Sequence, residues 1–165
     1  MDQQEGKVQM RDDQQDHMDR HPYGMLALNL TISLVIMYLA MFAMIWSSGE
    51  FIQNINFFYM ALVMWAPMAV VMLLTMRSMY SNGRLNLLLY GAFVLIFVAS
   101  FAGIRAQTAV GDREFLRSMI PHHSGALLMC ERAKLNDPEI VSLCGRIVQS
   151  QTEEIAEMKA ILARK

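Results

Sequence analysis

The sequence predicts an all-α membrane protein: three transmembrane helices, then a helical hairpin that pairs with a second copy into a four-helix bundle. Three observations lead there. The 165 residues are 55% hydrophobic and only 18% charged, the balance of a chain that lives in a bilayer. Between Arg20 and Arg105 only Glu50, Arg77 and Arg84 carry charge, which leaves three uninterrupted apolar runs. Beyond the last run, apolar residues return at helical spacing on two segments joined by Asn136-Asp137-Pro138-Glu139, a turn followed by a cap and a proline at the first helical position.

Residues 1–22 form a polar tail, rich in Gln and Asp and without apolar periodicity, so it reads as solvated chain. His17, Met18 and His21 within it also allow a weak metal site. The membrane region, 23–105, holds runs at 25–46, 57–76 and 85–104. The first spans roughly 33 Å as a helix, enough to cross a hydrocarbon core of about 30 Å. It exceeds the apolar stretch of a signal peptide, and the tail before it is acidic rather than basic. Tyr23, Trp46, Tyr59 and Tyr80 fall near run ends, where interfacial aromatics are expected.

Three spans put the termini on opposite sides. Lys7, Arg11, Arg20, Arg77 and Arg84 lie on one side, against Arg105, Arg113 and Arg117 on the other. This bias predicts a cytoplasmic N-terminus and a periplasmic C-terminal domain, in a bacterial inner membrane. A net charge of −1 with no basic block excludes nucleic acid as a partner. Met60, Met64, Met68, Met72 and Met76 follow one another every four residues. That pattern suits a thioether relay for Cu(I) or plain packing by a flexible side chain. Each step of four turns the helix about 40° past a full circle, so the five drift round it and packing is favoured.

The C-terminal domain is 112–165. Asp112 is expected to cap a helix running to about Leu135, and a second helix runs to about Ala163. On the first, Phe115, Met119, His122, Ala126, Met129 and Ala133 form one stripe, and Leu116, Ile120, His123, Leu127 and Cys130 its neighbour. One stripe would serve the hairpin partner, so the second calls for another copy, the membrane surface or the chain's own spans. With the turn centred near residue 137, His123 faces Gln151, Ile120 faces Glu154, and Met158 falls within a turn of Met119. Cys130 faces Cys144, as a disulfide, as buried thiols or as copper ligands. Pro121 either kinks the first helix or begins it.

Met119 precedes His122 and His123 by three and four residues, which holds thioether and imidazole within one helical turn. Soft sulfur beside imidazole suits copper, Cu(I) above Cu(II), better than metals that prefer oxygen. Adjacent histidines point about 100° apart, so both bind one ion only on a distorted helix. A core role with satisfied hydrogen bonds is the plain alternative. No arrangement of a hydrolase or oxidoreductase is present, and the chain is not expected to be an enzyme.

The run Phe115-Leu116-x-x-Met119-Ile120-Pro121-His122-His123, followed by Ala126, Met129, Pro138 and Gln151-x-x-Glu154-Ile155-x-x-Met158, resembles domain-of-unknown-function family 305. Its best understood members are periplasmic copper-binding proteins of the CopM type, with a ferritin-like four-helix fold. The resemblance covers about 112–163 and implies copper ligation by Met119, His122, His123, Met129 and Met158. This chain has one hairpin where those members have two, and it adds three spans. The expected function is a membrane-anchored protein that sequesters or hands over copper. A dimerising module without metal, or an oligomeric transporter using the span methionines, are the alternatives.

Overall fold

The computed structural model describes residues 22–165, so the expectations for His17, Met18 and His21 fall outside the described residues. Five α-helices follow in order: α1 Pro22–Ala40, α2 Ile55–Thr75, α3 Gly83–Ala106, α4 Asp112–Arg132 and α5 Pro138–Leu162, with a short 3-10 turn at Ser48–Glu50. Among the described residues there is no strand. Helices α1, α2 and α3 are each long and apolar enough to cross a membrane.

Small residues let the three spans approach. Ala61, Ala66 and Ala69 of α2 are fully buried, and the Tyr59 ring lies 3.2 Å from where a Cβ would stand on Gly103 of α3. Trp65 of α2 joins all three. Its indole N–H donates to the Leu30 carbonyl of α1 at 2.7 Å, and its ring meets Phe93 of α3 edge-on at 5.4 Å. At one end, the Tyr23 hydroxyl donates to Asn86 at 2.9 Å and accepts from the Asn82 N–H at 3.1 Å. These bonds satisfy groups that apolar surroundings would leave costly. The methionine ladder splits as helical drift requires: Met60 and Met64 are exposed, whereas Met68, Met72 and Met76 pack on the bundle core.

The first span stops sooner than its apolar run. Instead of continuing to Trp46, α1 ends at Ala40 and the chain tightens through 3-10-type bonds over Tyr38–Ile45. The tightening carries Phe42 inward, where it packs on Phe51 at 4.3 Å and on Phe57 at 5.0 Å. Aromatic burial and the needs of the next loop thus override an otherwise permissible helix.

That loop, 41–54, is the seat of the hairpin. Glu50 is only 6% exposed. Its carboxylate accepts from Ser47 N–H at 2.8 Å, from the Ser124 hydroxyl at 3.3 Å and from the Lys159 ammonium at 2.6 Å. Ser124, fully buried, in turn accepts from Trp46 N–H at 2.6 Å. Further along α4, Ser118 donates to Asn54 at 3.4 Å and Glu114 accepts from Ile55 N–H at 3.3 Å. Arg132 lies over the Trp46 ring at 5.4 Å. Helix α4 therefore rests lengthwise on the first loop, on the side of the membrane reached by the ends of α1 and α3.

Within the hairpin, Ile120, Leu127 and Ile155 form a core against which Ile52, Val148, Met158 and Leu162 pack. The Leu116/Ile120/Leu127 stripe is thus covered by α5 together with the chain's own first loop. Cys130 and Cys144 are joined in a disulfide, so the pairing about residue 137 holds at that level. Asp137 caps α5, accepting from Glu139 and Ile140 N–H. On α4 the cap is Gly111, and Asp112 is the first helical residue, paired with Lys165. The helix ends at Arg132 rather than Leu135.

Burial works to raise the Glu50 carboxyl, but hydrogen bonds from Lys159 and Ser47 outweigh it and hold the group below its ordinary value. A carboxyl depressed by folding lends stability above its unfolded range and loses it as the pH falls through the folded value. Docking of the hairpin is therefore expected to loosen only in acid, below the ordinary glutamate range. Glu50→Gln should weaken it at neutral pH by about 1–3 kcal/mol, read as faster amide exchange in 46–54 with the spans still protected.

Candidate metal site in the hairpin

Helix α4 runs continuously through Pro121 from Asp112, so the alternative that it starts at the proline does not hold. The two histidines then separate as helical geometry demands. His122 is exposed and His123 turns inward, with ring centroids 5.9 Å apart and planes tilted by 59°.

Nδ1 of His123 lies 2.8 Å from a carboxylate oxygen of Glu154. The oxygen approaches off the N–H direction, and this buried nitrogen has no aligned hydrogen-bond partner. The sequence register set His123 against Gln151, one turn away. Side chains on a helix lean toward its N-terminus, so Glu154 reaches back toward the Gln151 level. Ser150 and Gln151 hold it there, donating to its two oxygens at 2.7 Å and 3.4 Å. The register was sound for backbones, and the lean of a long side chain decided which residue meets the histidine.

Of the other expected ligands, Met158 sits against the Ile120/Leu127/Ile155 core and Met119 is half-buried. Met119 lies four residues before His123 and Met158 four after Glu154. In an antiparallel pair both sit one turn from the histidine–glutamate pair, toward the membrane. Met129 is not gathered with them: it is 59% exposed and two turns, about 10 Å, beyond His122. Among the described residues no three His, Cys, Asp or Glu side chains converge as a metal shell. A site built here must therefore draw on thioethers.

The donor chemistry fits a soft ion. Where imidazole binds a metal, its other nitrogen commonly points at a carboxylate, which fixes the tautomer and ring orientation. Glu154 stands where that carboxylate would, leaving Nε2 of His123 available. Glu154 is a residue that sequence reasoning set in the polar cluster but did not name for the site. The lean of helical side chains was the signal that could have found it.

Fold and site define a class: among the described residues, three helices long and apolar enough to cross a membrane, followed by a disulfide-closed helical hairpin. Residues 99–162 match the family described as "Domain of unknown function (DUF305)". Over 143 residues the chain is 33% identical to "Uncharacterized protein L153" of Acanthamoeba polyphaga mimivirus, a match covering 84% of this chain and 91% of that protein. No solved structure matches. The chain belongs to the DUF305 family. Since 143 matched residues far exceed the hairpin, the likeness to the viral protein extends into the apolar helices that precede it.

Glu154→Gln keeps size and hydrogen bonding while removing charge. If Glu154 orients His123, this change is expected to weaken metal binding by roughly 10–100-fold without altering helix content by circular dichroism.

Proposed function

We propose that the chain is a membrane-anchored copper-binding protein that sequesters the ion or hands it on, with no catalytic step. One observation carries the reading: an inward histidine whose otherwise unpartnered Nδ1 faces Glu154, with Met119 and Met158 one helical turn away on the same two helices. His123, through Nε2, and the two thioethers would hold copper, Cu(I) above Cu(II). Binding there leaves Glu154 to steady the ring and hold its proton on Nδ1. The Cys130–Cys144 disulfide supports an oxidising compartment for this end of the molecule. In a bacterium that is the periplasm, with the N-terminus cytoplasmic.

Phe115, His122 and Met129 recur every seven residues along α4, and Phe115 and Met129 are 51% and 59% exposed. An apolar seam at that spacing suits a second helix. Two hairpins joined along it would make the four-helix, ferritin-like bundle and bring His122 and Met129 to a shared site between copies. The dimerising module without metal draws on the same seam.

Competition titration of the detergent-solubilised chain with Cu(I) tests the first reading. His122→Ala/His123→Ala is expected to remove the tightest binding, and unchanged affinity would overturn the assignment. Because protonated imidazole cannot coordinate, affinity should also fall on acidification. Light scattering with crosslinking tests the second. A concentration-dependent dimer abolished by Phe115→Lys is expected, and a folded monomer at every concentration would refute it.

A further inference from the structure

At the membrane end opposite the hairpin, four methionines from three chain segments line one groove of about 390 Å³: Met25 of α1, Met72 of α2, and Met76 and Met79 at and beyond the end of α2, with Asn29 and Tyr80 beside them. We propose that this groove is a second soft-cation site, taking a monovalent d10 ion such as Cu(I) through thioethers, separate from the hairpin site.

The placement follows from the fold. Met72 and Met76 are the members of the methionine ladder that helical drift turns inward, and they pack on the core of the three spans. Met79 lies in the turn after α2, where its N–H bonds back to the Met76 carbonyl. Met25 comes from the first turn of α1 and is 66% exposed, and Met79 is 52% exposed. Two sulfurs thus sit at the mouth and two deeper in. The mouth lies at the ends of α1 and α2, where Tyr80 packs on Tyr23 of the Tyr23–Asn82–Asn86 cluster, among interfacial residue types rather than at mid-membrane.

The chemistry selects the ligand. Thioethers are neutral, soft and weakly basic, so they favour Cu(I) or Ag(I) over zinc, magnesium or calcium. Methionine's three rotatable bonds let sulfurs from separate segments converge. Asn29 and Tyr80 are the residues with polar side chains that line the groove with them. None of these groups takes up a proton in the range where imidazole does. Binding here should therefore be indifferent to mild acid, in contrast to the hairpin, and this distinguishes the two sites even if one of them fails.

Ag(I) titration of the full-length chain in lipid nanodiscs, at neutral pH and at about pH 5 where imidazole is protonated, tests the inference. In His122→Ala/His123→Ala protein a saturable Ag(I) site is expected to remain at both pH values. It should be lost in Met25→Leu/Met72→Leu/Met76→Leu/Met79→Leu, which conserves volume and apolar packing. Met60→Leu/Met64→Leu, on the outward side of α2, should leave it intact. Met25→Leu/Met79→Leu alone, at the mouth, should weaken it without disturbing the core, so the result stands even if the fourfold variant misfolds. Absence of Ag(I) binding in the protein lacking His122 and His123, or an affinity left unchanged by the Met25/Met79 substitutions, would overturn the proposal. Loss of the pH-sensitive phase alone bears only on the hairpin.

Discussion

The structure depends on one buried carboxylate. Glu50 is the single acid between the first and second spans, and it is almost wholly enclosed by Ser47, Ser124 and Lys159. A buried acid must either stay protonated or be paired with a cation and hydrogen-bonded, and Glu50 takes the second course. Of its partners, Ser124 comes from α4 and Lys159 from α5. The hairpin must therefore close on itself and on the first loop at once, and the early end of α1, the inward Phe42 and the seat of Ile52 follow from that docking.

The same constraint organises the candidate metal site. Ser124, bound to Glu50 and to Trp46 N–H, is the neighbour of His123, and with α4 fixed on the loop at that point His123 faces α5. Lys159, which reaches Glu50, follows Met158 directly and lies five residues past Glu154. The groups that anchor the hairpin thus alternate along two helices with the groups that would bind an ion.

Much was legible beforehand because it depends on local chemistry. Three runs without charge have one physical solution in a bilayer, helices with every backbone group bonded internally. The Asp137-Pro138 cap fixed the start of the second hairpin helix, and the position of the turn set Cys130 opposite Cys144. The drift of four-residue steps meant that the five methionines could not share one face, although not which of them would point outward. The membership of the hairpin in its family was equally readable, since Met119 through His123 and Gln151 through Met158 stand in unbroken spacing.

Other features needed three dimensions. Glu50 reads in sequence as a loop acid, and only its distance from Lys159, 109 residues away, makes it an anchor. Glu154 meets His123 because a leaning side chain shifts a contact by one turn, which pairing of backbones cannot reveal. Four methionines share a groove because α1, α2 and the following turn converge, although their numbers run from 25 to 79. The sequence by itself determined the helices, their order and the residue types fit for a soft metal, because hydropathy and periodicity act over a few turns. Only the tertiary structure decided which of those residues meet, because such contacts depend on how whole helices pack and where one buried charge finds its partner.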